Sequence, residues 1–275
     1  MSSQVSRSEL SPVRRGPIVD NVNHHDDGKS AVQDAGNKPN DHYKSKLSPV
    51  RYHLRQACLP IIRWETEVLA KFQASIRHPV LDFYFAWTAN LASHTFYVLM
   101  LPLPAWLGAS TLLRDLVHVL GLGIYISGYL KDFLCLPRPR SPPLHRITMS
   151  SYTTQEYGFP SSHSANATAV TFIVLAKIFE LRDSFCATTF YALVAAMIVY
   201  YVSLIFGRIY CGMHGFFDIM TGSLIGFGLF LFRWCYGAQF DNFVFDNSLP
   251  TPVVVVLIIA FYVYLVHIHA EPVDD

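Results

Sequence analysis

The chain has 275 residues, of which 52% are hydrophobic, 14% aromatic and only 15% charged. That is too apolar for an ordinary soluble domain of this length, and a polytopic membrane protein is the class that fits. A net charge of +1 excludes a typical nucleic-acid-binding domain, which carries a clear basic excess, and no nucleic-acid partner is expected.

Residues 1–50 are polar, rich in Ser, Asn, Asp, His and Lys, with no periodicity able to bury a face, and read as a disordered tail. No apolar stretch follows the first basic residues, so no secretory signal peptide is expected. The pentapeptide Leu-Ser-Pro-Val-Arg occurs at residues 10–14 and again at 47–51. It reads either as a pair of proline-directed phosphorylation sites or as coincidence in a Ser/Pro-rich tail.

Residues 51–80 follow as an amphipathic or connector helix. Trp64, Leu69, Phe72 and Ile76 recur at helical spacing among Arg63, Glu65, Glu67 and Lys71, a pattern suited to the membrane surface. Residues 81–275 then form the membrane domain. Six apolar spans are predicted, at about 83–103, 112–130, 165–181, 187–206, 217–235 and 251–268, each near the length that crosses a bilayer. The fold class is therefore all-α, a polytopic helical bundle of about six spans. Pro102, Pro104 and Gly108 separate the first two, and Gly222, Gly226 and Gly228 in the fifth suit close helix packing. The third span, with Thr168, Thr171 and Lys177, is the weakest by hydropathy. The five cysteines, Cys58, Cys135, Cys186, Cys211 and Cys235, form neither a disulfide framework nor a zinc spacing.

Chemistry-bearing residues gather between Lys131 and Asp218. Lys131 is followed seven residues later by Arg138-Pro139. Phe159-Pro160-Ser161-Ser162-His163-Ser164 is a polar turn opening into an apolar helix, and Arg208, His214 and Asp218 lie where one span ends and the next begins. Two spans separate the last two clusters, so a hairpin through the membrane returns both to one side. Three cations can neutralise a phosphate dianion, Arg138 and Arg208 through their forked donors. Ser161 adds a hydroxyl, and amides around Ser161, Ser162 and His163 open a helix, where N–H groups attract anions. In a helical register His214 and Asp218 are one turn apart, so the carboxylate can hold one imidazole nitrogen and leave the other to attack phosphorus. His163 is then placed to protonate a leaving alkoxide and activate water. His94, His118, His267 and His269 read as interfacial polar residues, and Arg140 and Arg146 as solvated loop cations, with an extension of the anion site as the alternative. No metal and no cofactor are called for.

Lys-x6-Arg-Pro, then Pro-Ser-x-His, then Arg-x5-His-x3-Asp, in this order, resembles the tripartite signature of the type 2 phosphatidic acid phosphatase superfamily. The second and third motifs are most similar to those of the sphingoid long-chain base phosphate phosphatases of the endoplasmic reticulum. The resemblance implies a multi-pass endoplasmic reticulum protein hydrolysing sphingoid base 1-phosphates, with His214 carrying a phosphohistidine, Asp218 orienting it and His163 as acid and base. Lys131, Arg138, Ser161, Ser162 and Arg208 would bind phosphate. Its partners would be the lipid phosphate and membrane lipid. Ser162 stands where the family usually has Gly, which keeps the backbone amide that matters there, and Gly207 where it usually has Ser, which removes a hydroxyl and implies weaker phosphate affinity. Such relatives carry further spans, so the chain reads as a C-terminally shortened form or a fragment. Glycerolipid phosphates or polyprenyl diphosphates are alternative substrates, and an anion transporter or an inactive scaffold are alternatives of a different class.

Sidedness is contested within the sequence. Arg51, Arg55, Arg63, Lys71 and Arg77 ahead of the first span favour a cytosolic N-terminus, which would place the site in the cytosol. The resemblance favours the lumen, and an additional crossing near Ala57 to Ile76 would reconcile the two.

Overall fold

The computed structural model describes residues 34–149, 155–245, 250–269 and 273–274. They form ten α-helices and short 3-10 turns: α1 (Asn40–Lys46), α2 (Pro49–Ile76), α3 (Pro79–Thr88), α4 (His94–Met100), α5 (Pro102–Trp106), α6 (Ser110–Leu134), α7 (Ser162–Glu180), α8 (Ala187–Tyr210), α9 (Phe216–Phe245) and α10 (Thr251–His267). Helix α7 is the central member, packed on α6, α8 and α9. Its neighbours approach closely because α9 carries glycine where they meet. A Cβ at Gly222 would collide with the carbonyl oxygen of Ser161, and one at Gly226 with that of Ala165. Small residues of this kind replace the hydrophobic drive that lipid surroundings remove.

Helices α6 and α8 end at one face of the bundle, where α7 and α9 begin. At the opposite face Arg233 of α9 pairs with Asp115 of α6 at 2.5 Å and with Asp241 at 2.7 Å. Helices α8 and α9 are long and apolar enough to cross a membrane; Pro252–His267 and Thr95–Trp106 are shorter apolar helices. Val255, Val256, Ile259, Tyr262, Val263 and Val266 leave α10 with an exposed apolar surface, as lipid contact requires. The first predicted span is not one helix. Residues 79–106 are divided among α3, a 3-10 turn (Ala89–Ala92), α4 and α5, with Ser93 and Pro102 each starting a new segment.

Helix α2 touches the bundle at its site-bearing end throughout its length. Arg51 donates to the carbonyls of Asp132 and Phe133, and Arg55 to that of Cys135. Eighteen residues after Arg55, Gln73 donates to the carbonyls of His145 and Tyr210, both at 2.7 Å, and accepts from the His145 amide. The helix thus lies across the ends of the spans and supplies no additional crossing between Ala57 and Ile76. Its inward stripe is Arg55, Leu59, Ile62, Glu65, Thr66, Leu69 and Gln73. Trp64, predicted on the same face as Leu69, is instead exposed together with Val50, Leu54, Ile61 and Val68. These five recur at helical spacing and give α2 a second, outward apolar stripe.

Residues 34–50, read from composition as part of a disordered tail, are ordered. Tyr43 of α1 and Leu47, its C-cap, bury against Cys135, Tyr157 and Val273, and the Tyr43 hydroxyl donates to Asp274 at 2.9 Å. A few such anchors order a segment that is polar on average, which composition does not register. Residues 1–33, including the first Leu-Ser-Pro-Val-Arg copy, lie outside the described residues; in the second copy Ser48 is the exposed N-cap of α2.

Candidate active site

Each cluster is delivered by a helix end. Lys131 sits in the last turn of α6, which stops at Cys135 in the left-handed conformation (φ 50°). The chain then turns away through a buried Leu136 to Arg138. Ser161 is the N-cap of α7: its Oγ accepts from the Ser164 amide at 3.3 Å and the Ser164 hydroxyl at 2.9 Å, while its own amide donates to the Asp218 carbonyl. Ser161 is therefore occupied with capping α7 and joining it to α9. Arg208 lies in the last turn of α8 and donates to the Ala89 carbonyl of the 3-10 turn at 3.3 Å. Asp218 lies in the first turn of α9.

These ends bring Lys131, Arg138, Arg208, His214 and Asp218 together, all buried. Arg138 Nη1 lies 3.1 Å from His214 Nε2 and donates to the Met213 carbonyl at 3.1 Å. A guanidinium has no acceptor, so Nε2 must be the bare nitrogen and the imidazole proton sits on Nδ1. Nδ1 faces Asp218 Oδ2 at 3.5 Å, and that oxygen also accepts the Gly215 amide at 3.0 Å. Burial holds the His214 pKa well below the usual histidine value, reinforced by the charges of Arg138, Arg208, Lys131 and His163. His163 is thus within electrostatic reach of His214, on the first turn of α7. Arg138 is pushed down to about 10, chiefly by burial, and still carries its charge at neutral pH.

A cavity of about 270 Å³ adjoins the cluster, lined by Lys131, Ser162, Glu156, Ile124, Ser127 and Gly128, among others. It runs from Lys131 near the end of α6 to Ile124, Ser127 and Gly128 further back along the same helix. The arrangement can hold a tetrahedral dianion between three cations while a neutral imidazole nitrogen faces it.

Three residues escaped the sequence reading. Glu156 holds Lys131 Nζ at 2.7 Å, and its carbonyl accepts from Arg138 Nε. Glu65 of α2 accepts the Phe217 amide at 2.8 Å beside the His214 turn. Arg146, read as a solvated loop cation, is 5% exposed, pairs with Asp34 at 2.7 Å and donates to the Pro139 carbonyl; Arg140 is exposed, as that reading holds. Glu65 falls on the stripe of α2 that carries Ile62 and Leu69, a signal for its burial but not for its partner at Phe217. Gly207 backs onto Phe85: a Cβ there would lie 3.0 Å from its ring. His269 pairs with Asp132 at 2.8 Å. His118 bonds the Arg114 carbonyl of its own helix.

The PAP2 superfamily model matches residues 112–242, which contain every motif residue above. Among curated proteins, the chain is 42% identical over 248 residues to a dihydrosphingosine 1-phosphate phosphatase of Saccharomyces cerevisiae, covering 90% of this chain and 60% of that protein. It is 41% identical to a dihydrosphingosine 1-phosphate phosphatase of Schizosaccharomyces pombe, covering 82% of this chain and 54% of that one. The chain thus spans little more than half the length of these relatives. A human sphingosine-1-phosphate phosphatase 2 is 31% identical over 178 residues. Among solved structures, a phosphatidylglycerolphosphate phosphatase from Bacillus subtilis shares the fold, with a TM-score of 0.50 and 21% identity over 69% of this chain and 95% of that chain.

Proposed function

Residues 112–242 are a PAP2 superfamily domain, and from that premise we propose that the protein is a membrane lipid phosphatase, a phosphoric monoester hydrolase acting on sphingoid long-chain base 1-phosphates. The observation that carries the reading is the His214 geometry: a bare Nε2 beside Arg138, with the protonated Nδ1 turned to Asp218. An anion pathway has no use for an imidazole held in one tautomer.

In the proposed reaction the phosphate enters between His214 and the cations Lys131, Arg138 and Arg208, with Ser161 and Ser162 at the N-terminus of α7 alongside. These cations neutralise the equatorial oxygens, which is where phosphoryl transfer needs stabilisation. Nε2 of His214 attacks phosphorus as the bond to the lipid oxygen breaks. The imidazolium that forms is balanced by Asp218 at Nδ1. His163 gives its proton to the departing alkoxide, yielding the free base, then takes a proton from the water that cleaves the phosphohistidine. Phosphate leaves and His214 is neutral again. The three side-chain cations supply the charge that a metal would otherwise bring, so turnover is proposed to be metal-independent.

The membrane setting completes the proposal. Residues 79–106 taken together, then α6 to α10, make six passes in an endoplasmic reticulum membrane, and α2 lies along the interface at the site-bearing face. Substrate specificity rests on the dihydrosphingosine and sphingosine phosphatase names of the relatives. Release of phosphate from dihydrosphingosine 1-phosphate by the purified full chain, compared in mixed micelles with phosphatidic acid, tests it. Equal or better turnover of phosphatidic acid would move the protein to the glycerolipid branch.

A further inference from the structure

Glu65 is a buried carboxylate on α2, outside the residues matched by the family model, and the mechanism above does not use it. It is 4% exposed. Its Oε1 accepts the Phe217 amide at 2.8 Å, whereas Oε2 is buried without a hydrogen-bond partner among the described residues. Oε2 rests against Gly215, where a Cβ would collide with it. Two carboxylates therefore grip the turn that joins His214 to α9. Asp218 takes the Gly215 amide from within α9, and Glu65 takes the Phe217 amide from α2. Amides in a helix's first turn have no partner within the helix, so the turn's position depends on what accepts from them.

We propose that Glu65 is a positioning residue for His214: by holding Phe217 and seating against Gly215, it fixes the turn in which the imidazole lies between Arg138 and Asp218. The inference rests on the phosphatase reading. It places Glu65, from a helix that carries none of the motifs, beside the catalytic turn, so the motif-bearing helices alone do not complete the site. Burial raises the Glu65 pKa and the Phe217 amide counters it. The acceptor role of Oε1 survives in either protonation state.

Such a residue acts on the attack step more than on phosphate binding, and this separates it from general support. The test uses the purified full chain in mixed micelles with dihydrosphingosine 1-phosphate. Glu65→Ala lowers kcat and the rate of phosphoenzyme formation by about tenfold or more, the equivalent of one net hydrogen bond to a charged group, with KM changed less than about threefold. Glu65→Gln, which keeps an oxygen at Oε1, retains kcat within about threefold, below the cost of a lost hydrogen bond. Gln73→Ala, which loosens α2 away from the turn, leaves kcat per folded molecule near wild type. Should Glu65→Ala not fold, Glu65→Asp withdraws the carboxylate by one methylene and gives the same kcat-only loss in smaller measure. Wild-type kcat in both Glu65→Ala and Glu65→Asp overturns the inference, as does an equal loss in Gln73→Ala. A wild-type protein that releases no phosphate defeats the phosphatase reading itself, a result separate from either.

Discussion

Arg138 Nη1 stands 3.1 Å from His214 Nε2, so the nitrogen proposed to attack phosphorus accepts a hydrogen bond from a cation proposed to bind the same phosphate. The contact leaves Nε2 without a proton and puts the imidazole proton on Nδ1, toward Asp218.

A pH prediction follows from His214. Its folded-state pKa lies well below the usual 6.5, from burial first and then Arg138, Arg208, Lys131 and His163. The neutral nucleophile therefore persists as pH falls, and the acid limb of kcat/KM attributable to His214 lies below about 6.5. Replacing Arg138 by Gln removes one depressing charge, so the limb of the residual activity moves upward. For stability the sign is the same: between about 6.5 and the folded pKa the unfolded chain binds the proton that the folded one refuses, so His214's contribution is present above about 6.5 and lost as pH falls below it. Unfolding midpoints of wild type and His214→Gln across this range would show the two curves converging in acid.

Glu156 occupies Lys131 Nζ at 2.7 Å with a carboxylate that is 56% exposed. It competes with an incoming phosphate oxygen for the same ammonium. Glu156→Gln should lower KM by up to about fivefold, the worth of one partly exposed ion pair, with kcat little changed. A raised KM would show instead that Glu156 helps hold Lys131 in place.

Gln73 makes three hydrogen bonds, to His145 twice and Tyr210 once, from a buried position. Truncation to Ala strands those backbone groups and should cost about 1–3 kcal/mol, read as a shorter half-life of activity on heating in detergent. Gln73→Glu keeps the acceptor but loses both donors and should do no better.

Much of this was legible in the sequence, and the failures share a cause. That Lys131, Arg138, Arg208, His214 and Asp218 meet was legible because their motifs stand at the ends of apolar runs, which a hairpin of helices returns to one face. The bundle followed from the same apolar runs. What could not be read was whatever depends on contacts between distant segments. Glu65 looks like an ordinary charge on an amphipathic helix until α2 is laid across the turn at Phe217. Tyr43 sits in a polar stretch, yet it is fully buried against the far end of the chain. Trp64 was assigned the wrong face, because α2 carries apolar residues both inward and outward and periodicity does not rank them. The break at Ser93 falls where Asn90, Ser93, His94 and Thr95 interrupt the apolar run, a polar stretch that the span as read passes over.

The central claim is a covalent phosphohistidine on His214 formed without a metal. Acid-stable phosphoenzymes are not histidine-linked, so trapping is done by rapid denaturation at alkaline pH, after mixing full-length protein with radiolabelled dihydrosphingosine 1-phosphate in excess chelator. The label is predicted on the peptide carrying His214 in wild type, to form much more slowly in His163→Ala, where the departing alkoxide is no longer protonated, and to vanish in His214→Ala. Label that persists in His214→Ala, or turnover that stops with chelator and returns with magnesium, would contradict the account.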